Sequence, residues 1–135
     1  MLERWELMAN SVLEISAILS DYSADIQEAI KEDARRIAKE GVNELKATSP
    51  KRRNSGKYAK GWRVKTQEGR RSINCTVYNA TDWQLTHLLE KGHRMVNRKG
   101  EVKGFVDAKV HIAPVEQKCI KQFQSDIERI IKNGG

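Results

Sequence analysis

Residues 61–79, GWRVKTQEGRRSINCTVYN, decide the fold because two alternating segments flank a short turn. In the first segment Trp62, Val64 and Thr66 alternate with charged and polar residues. In the second segment apolar and polar side chains also alternate, with Ile73, Cys75 and Val77 on one face. A period of two is typical of half-buried strands, and Gly69-Arg70-Arg71 reads as a turn. The stretch therefore predicts an antiparallel β-hairpin.

A long amphipathic helix is predicted before this hairpin, from Asp21 to Lys46. Its apolar residues recur at spacings of three and four, and Pro50 follows its end. A helix of about 25 residues would be ~38 Å long, which is long for a chain of 135 residues. We therefore expect part of its apolar stripe to meet another subunit. Residues 1–19 are expected to form a variable N-terminal segment, for which a short helix and a strand are both open.

The sequence after the hairpin predicts two more helices. DWQLTHLLEKG, residues 82–92, reads as a short helix capped by Asp82 and closed by Gly92, with Trp83 and three leucines buried. The last helix follows Pro114 and is amphipathic. Residues 48–61 and 93–110 are expected to be flexible basic loops, the second of them a loop or a ribbon. This order predicts one α+β domain over residues 1–135, with a long N-terminal helix, a sheet based on an antiparallel β-hairpin, a short helix and a C-terminal amphipathic helix.

The positive charge of the chain is concentrated in its centre. The net charge is +7, and residues 46–110 contain 16 Lys/Arg against 5 Asp/Glu. Such a region can attract nucleic acid or an acidic protein surface, although a solvated loop is equally compatible with it. The candidate interaction residues are Lys51, Arg52, Arg53, Lys57, Tyr58 and Lys60. Basic residues interleaved with aromatic ones make nucleic-acid binding the alternative function, but no recognised nucleic-acid-binding module is present.

The side chains that could carry chemistry form no catalytic or metal-binding motif. His87, His93 and His111, taken with Cys75 or Glu90, match no compact zinc spacing, and histidines that bond loop backbone are the simpler interpretation. Cys75 and Cys119 lie in apolar patterns, which favours two reduced thiols, with a disulfide as the alternative. No stretch approaches the ~20 apolar residues of a membrane span. We therefore predict no enzyme activity, cofactor, metal, small-molecule substrate or membrane partner.

Four blocks in a fixed order resemble the small tail-component family of long-tailed bacteriophages, the head–tail joining or tail-completion proteins. The blocks are ELKATSP, KRRNSGKYAKGWRVK, VYNATDWQLTHLLEKGH and HIAPVEQK, and the resemblance covers about residues 20 to 132. The positions that match the family pattern are Ser49, Pro50, Gly56, Tyr58, Ala59, Trp62, Tyr78, Asn79, Leu85, Thr86, His87, Leu88, Leu89, Glu90, Gly92, His93, His111, Ile112, Pro114 and Glu116. The chain departs from the pattern at Asn54-Ser55, at Trp83 and at Val115.

The resemblance implies structural work without catalysis. Subunits of such a protein would be made in the bacterial host cytoplasm and would form a homo-oligomeric ring in the virion, in contact with other neck, tail or connector proteins. We expect the long helix to supply one patch of the ring interface, and the basic loop to face an acidic neighbour or packaged DNA. Glu90 is expected to hold the 93–110 segment in place by hydrogen bonds.

Overall fold

The structure, a computed structural model, describes residues 11–51 and 56–134. The α+β fold expected from the sequence is confirmed. Its helices are α1 (Ala24–Thr48), α2 (Lys57–Lys60), α3 (Leu85–Lys91) and α4 (Ile112–Asn133). Its strands are β1 (Ser11–Ile18), β2 (Trp62–Gly69), β3 (Ser72–Asn79), β4 (His93–Val96) and β5 (Val102–Val106).

The predicted hairpin forms the β2–β3 pair, and β1 adds a third strand to it. The order of the antiparallel sheet is β1-β3-β2, with Ile15 opposite Cys75 on one side and Thr66 opposite Cys75 on the other. Of the two conformations left open for residues 1–19, the described part, residues 11–18, is therefore a strand; residues 1–10 lie outside the described residues. Leu13 and Ile15 of this strand are buried in the core.

Among the described elements, α1 and α4 cover one face of the sheet. Ile73, Cys75 and Val77 point into the core, where α1 contributes a buried stripe that includes Ile30, Ile37 and Leu45. The expected alternation along β2 is wrong beyond Trp62, because Val64 and Thr66 are exposed. Among the described strands β2 pairs with β3 alone, so its side chains have fewer neighbours than those of the central strand.

The long helix α1 has a local reason for each of its ends. Its first turn is capped by Ser23, whose Oγ accepts a hydrogen bond from the Ile26 amide at 3.3 Å. It ends at Thr48, next to Ser49 and Pro50, where the backbone is extended. Gly41 lies where α1, α4 and β1 meet, and a Cβ there would be 3.2 Å from Cys119 Sγ. The absence of a side chain thus lets the two long helices pack closely.

The segment between β3 and α4 differs in detail from the prediction. α3 begins at Leu85, and Asp82 does not cap it with its side chain; the Asp82 carbonyl accepts from the Leu85 amide instead. Trp83 and Leu88, expected to be buried, are 48% and 41% exposed. Residues 93–106, where a loop and a ribbon were open, form a two-stranded antiparallel ribbon from β4 and β5. The last helix starts at Ile112, so that Pro114 lies in its first turn, where proline is tolerated.

Candidate functional site

Six positions that match the phage family pattern converge at one end of the three-stranded sheet, where Trp62 pairs with Asn79. We call the cluster of Ser49, Tyr58, Trp62, Asn79, Glu90 and His111 the polar junction. Its members come from the end of α1, from α2, from β2 and β3, from α3 and from the residue before α4. All except Glu90 are buried, and Glu90 is half-buried.

Three rings form the centre of the polar junction. Tyr58 and Trp62 meet edge to face with their centroids 5.5 Å apart, and Tyr58 and His111 do the same at 5.6 Å. Such arrangements are favoured for aromatic pairs. The Trp62 Nε1–H donates to Ser49 Oγ at 2.8 Å, so the buried indole has the partner that it needs. This bond ties the end of α1 to the start of β2.

The hydrogen bonds of His111 determine which ring nitrogen carries the proton. Nδ1 lies 2.7 Å from the Lys109 carbonyl oxygen, which can only accept, so Nδ1 is the donor. In the neutral ring Nε2 is then an acceptor, and the Tyr58 hydroxyl donates to it at 2.8 Å. Burial raises the pKa of Tyr58 to about 12, and the nearby Glu90 carboxylate acts in the same direction. Tyr58 therefore keeps the proton that this bond requires.

Glu90 closes the N-terminus of α4, which has no side-chain cap of its own. Its Oε1 accepts from the amides of His111 at 2.8 Å and Ile112 at 3.0 Å, and its Oε2 accepts from the amide of Ala113 at 2.9 Å. The first amides of a helix lack partners within the helix and carry partial positive charge. Although burial alone would raise it, these three bonds hold the pKa of Glu90 below its ordinary value. Glu90 was expected to hold the 93–110 segment by hydrogen bonds, but the amides that it binds belong to residues 111–113, directly after that segment.

Asn79 fixes the turn that leaves β3. Its Nδ2 donates to the Tyr58 carbonyl at 2.8 Å, and its Oδ1 accepts from the amides of Thr81 and Asp82. Gly61 lies against this turn, and a Cβ on it would be only 2.0 Å from Thr81 Oγ1. No residue except glycine fits there. The role of Asn79, a position that matches the family pattern, is thus to pack the turn after β3 against the turn at Gly61.

The predicted basic loop is only partly a loop. Lys51, Lys57 and Lys60 are exposed, and Lys57 lies 3.8 Å from Asp82 in an ion pair. Arg52 and Arg53 lie outside the described residues. Tyr58 is only 5% exposed, on the one-turn helix α2, and its hydroxyl is bound to His111. This corrects the expectation that Tyr58 contacts a partner from an exposed loop.

The remaining predicted positions are divided between the core and the surface. Leu85 and Leu89 pack against the core, and Gly92 ends α3 with a positive φ of 77°. Leu88 is exposed, and His93 is half-buried at the start of β4. Gly56 precedes α2, and Pro114 is exposed. His87 belongs to α3 by its backbone.

The polar junction has the ingredients of a carboxylate–imidazole–phenol relay, but each group is used in packing. A nucleophile in such a relay must reach a substrate, whereas Tyr58 and His111 are 5% and 3% exposed. Burial also raises the pKa of both cysteine thiols, which lie elsewhere in the core and are not bonded to each other. Within residues 11–51 and 56–134, no three His, Cys, Asp or Glu side chains are grouped so that they could hold a metal ion.

Comparison with protein-family models matches the chain to a bacteriophage family. The family model described as "Bacteriophage HK97-gp10, putative tail-component" matches residues 14–92, which is more than half of the chain. The chain belongs to the HK97-gp10-like family. The matched range begins within β1 and ends at Gly92, one residue before the ribbon. It contains every member of the polar junction of this HK97-gp10-like protein except His111.

Curated proteins and solved structures give no match to this chain. The recognition of a phage tail-component family from its sequence blocks is confirmed by the family match. The block HIAPVEQK lies beyond the matched residues, so its resemblance to the family stays a prediction. None of the helices in the described ranges is long and apolar enough to cross a membrane.

Proposed function

We propose that this HK97-gp10-like protein is a non-catalytic structural subunit that joins phage heads to tails, as a neck or tail-completion component that forms a ring. The family match to a phage tail component carries this proposal. Its partners would be other neck, tail or connector proteins, and its place of action would be the virion, after synthesis in the bacterial host cytoplasm.

The geometry of the polar junction supports an assembly role. Its hydrogen bonds connect six elements at one end of the sheet, through six of the positions that match the family pattern. The junction therefore holds α4 and the ribbon in a defined place relative to the sheet. A rigid frame that presents surfaces is what a subunit of a symmetric assembly needs, because closure of a ring depends on a fixed angle between neighbours.

The decisive experiment is electron microscopy of particles from an induced lysogen that lacks this gene. Filled heads separated from tails, rescued when the protein is supplied in trans, would support the joining role. Normal tailed particles from the deletion would refute it. Filled heads in a lysate that contains no free tails would assign the protein to tail formation, which would also contradict a role limited to joining.

The basic loop offers a second, finer part of the proposal. We expect Lys51, Arg52 and Arg53 to face an acidic neighbour or packaged DNA. Replacing all three with glutamate should block rescue of the deletion while the circular dichroism spectrum of the protein stays unchanged. The matched control replaces Lys39, Lys121 and Lys132, which are exposed on the helices, with glutamate. Wild-type particle yields from the loop variant would eliminate this contact.

Nucleic-acid binding remains the second candidate because Lys51, Lys60 and Arg63 are exposed near the same end of the sheet. A primary DNA-binding role predicts an affinity that falls steeply with salt, since each neutralised phosphate releases counterions. A binding titration at several salt concentrations measures this slope. The burial of Tyr58 and Trp62 removes the base-stacking part of the argument for this role.

A further inference from the structure

The ribbon exposes four large apolar side chains. Among its large side chains, Phe105 and Val102 are each 58% exposed, Val96 is 56% exposed and Met95 is 45% exposed. The main neighbour of each ribbon strand, within the described residues, is the other strand. The strand register places Val96, Val102 and Phe105 on one face of the ribbon and Met95 on the other. An exposed apolar surface that includes an aromatic residue is typical of a protein–protein contact.

The ribbon is also basic. Arg94, Arg98 and Lys99 are exposed, and none of the three has an ion-pair partner among the described residues. Lys103 alone pairs within the ribbon, with Glu101 at 3.3 Å. A partner for this surface therefore has to supply both an apolar contact and negative charge.

The ribbon starts from the Trp62 end of the sheet. In the chain it lies between α3 and α4. Glu90 at the end of α3 accepts a hydrogen bond from the amide of His111, just before α4, and the His111 ring contacts Tyr58 and Trp62. The opposite end of the sheet is the Gly69 end, where Gly69 pairs with Ser72. Since β2 has eight residues, the two ends are roughly 25 Å apart.

The Gly69 end contains a groove of about 670 Å³ that no described element fills. Its lining includes Ile18, Glu68, Gly69 and Ser72. Ile18 is 81% exposed, the most exposed large apolar side chain of the described residues. The groove therefore presents an exposed apolar side chain to a partner.

An acidic ridge lies on α1 at the same end, formed by Asp25, Glu28 and Glu32. These residues are spaced by three and four, so they share one exposed face of the helix. α1 is anchored to the groove through Lys31, whose Nζ donates to the Gly69 carbonyl at 3.0 Å. Asp25 and Glu32 have no ion-pair partner within the described ranges, whereas Glu28 lies 3.4 Å from Arg35.

Arg35 joins the ridge to the groove. Besides Glu28, it binds both carboxylate oxygens of Glu68, at 3.1 and 3.0 Å, and Glu68 lines the groove. Arg35 thus connects the ridge to the edge of the groove, where Glu68 also lies 3.5 Å from Lys31 Nζ. The ridge carboxylates that stay unpaired within the described residues are those of Asp25 and Glu32. The other basic residues at this end, Arg70 and Arg71, belong to the β2–β3 turn.

We propose that the ribbon of one copy docks on the Gly69 end of a second copy, with its cations facing the acidic ridge and its apolar side chains entering the groove beside Ile18. The two complementary surfaces lie at opposite ends of one subunit, so they meet only between copies, head to tail. A heterologous contact of this kind produces a closed ring when the rotation between neighbours is right. The inference rests on the ring-forming function proposed above and names the surfaces that form its interface.

A second copy fits the ribbon better than nucleic acid does. DNA would satisfy Arg94, Arg98 and Lys99 but would leave Met95, Val102 and Phe105 in water, unless they were inserted between bases. The groove and ridge satisfy both requirements on one surface of the same chain. Apolar burial would drive the association, and the charges would set its orientation.

Two charge-reversed variants test the contact without disturbing the fold, because the altered side chains are exposed and unpaired within the described residues. The ribbon variant is R98E/K99E, and the ridge variant is D25K/E32K. A combined variant carries all four changes, and the control K121E/K132E alters two exposed lysines of α4 by the same charge. Full-length proteins are compared by sedimentation velocity from micromolar to millimolar concentration and by rescue of the gene deletion.

The proposed contact makes specific predictions for each sample. Wild type and the control should self-associate, whereas each two-residue variant alone should stay monomeric. An equimolar mixture of the ribbon and ridge variants should self-associate like the wild type, since the reversed ribbon of one matches the reversed ridge of the other and their two unaltered surfaces also match. The combined variant should regain self-association and rescue, because its two surfaces have exchanged charge.

Several results would overturn the contact while leaving the tail-component function standing. These are self-association of either two-residue variant at the wild-type level, a mixture that stays monomeric, or a wild type that is monomeric at millimolar concentration. Loss of DNA affinity in R98E/K99E with unchanged self-association would assign the ribbon to nucleic acid instead. Failure of the function itself is read separately, from normal tailed particles in the gene deletion.

Discussion

At the scale of single side chains, Glu90 shows how one carboxylate can organise a helix that starts 22 residues later. It accepts hydrogen bonds from three consecutive amides at the start of α4. Charge-assisted bonds of this type are stronger than neutral ones, and the helix N-terminus favours the negative charge. The position of α4 relative to α3 therefore depends on this side chain more than on the connecting segment.

Replacing Glu90 with alanine should lower the free energy of unfolding by about 2 kcal/mol, since three amides lose their partner. Because the folded pKa of Glu90 is lowered from 4.5, its contribution is present above that value and is lost as pH falls through the folded pKa. The difference in melting temperature between wild type and E90A should thus be largest near neutral pH and should decrease in acid. E128A, at an exposed position on α4, is the control. Equal melting temperatures for wild type and E90A at pH 7 would contradict the capping role.

Asp33 and Asp126 form a second long-range contact, between α1 and α4. Arg36 bridges them, with Nη2 at 2.7 Å from Asp33 Oδ1 and 2.9 Å from Asp126 Oδ2. Burial raises the pKa of Asp33, and the Asp126 carboxylate acts in the same direction. Burial would also raise the pKa of Asp126, but hydrogen bonds from Asp33 and Gln122 lower it. As pH falls, Asp33 is therefore the carboxyl of the pair that takes up a proton first.

Replacing Asp33 with asparagine should stabilise the protein at neutral pH, because the amide donates to Asp126 without having to hold a proton. The raised folded pKa of Asp33 means that its stabilising contribution is complete below 3.8 and is lost as pH rises through the folded pKa. The melting temperature of D33N minus that of wild type should therefore increase from about pH 4 to pH 7, by a few degrees, or about 1 kcal/mol. A difference that is independent of pH would exclude the shared proton.

At the scale of elements, the sequence was most informative where periodicity is local. The stripe of α1 places that helix within a few residues of its observed limits, and the alternation of 62–79 locates β2 and β3. The same signal failed for Val64 and Trp83, because exposure of an apolar residue depends on which neighbours cover it. Edge strands and short helices have few such neighbours.

The polar junction could be predicted only as a set of positions. The matched blocks name Tyr58, Glu90 and His111, but they do not say that these residues meet, since Tyr58 and His111 are 53 residues apart. Likewise, no local pattern pairs Asp33 with Asp126, because each resembles an ordinary charged residue on an amphipathic helix. Contacts of this separation depend on how the elements pack, which the sequence pattern does not encode locally.

The ribbon and the three-stranded sheet should differ in local stability. A two-stranded ribbon that packs mainly on itself buries little apolar surface, and such elements open at low free energy. In hydrogen exchange of the isolated protein, the amides of β4 and β5 should exchange at least ~100-fold faster than those of β3, which is paired on both sides. Equal protection of β4 and β3 would mean that the ribbon is already covered in the free protein.

At the scale of the whole molecule, the core draws on segments from both halves of the sequence. Leu13 of β1 and Val115 and Cys119 of α4 belong to the same cluster as the buried stripe of α1. The family match ends at Gly92, before α4. The matched residues therefore contain the sheet and α1 but lack one of the two helices that cover the core.

This dependence predicts that a fragment of residues 1–110 does not fold on its own. Without α4, the α1 surface around Ile37 and Gly41 would lie in water, and Arg36 would lose Asp126 while Glu90 lost the amides that it caps. Exposing Val115, Cys119 and Phe123 and their partners removes several kcal/mol of apolar burial, which is comparable to the total stability of a small domain.

The full chain should unfold in one cooperative thermal transition by near-ultraviolet circular dichroism, and the fragment should show none. Adding a synthetic peptide of residues 108–135 should restore the transition, since its apolar face complements the exposed one. A cooperative transition of the fragment alone would mean that α4 is an appendage, and that the HK97-gp10-like part of the chain is complete without it.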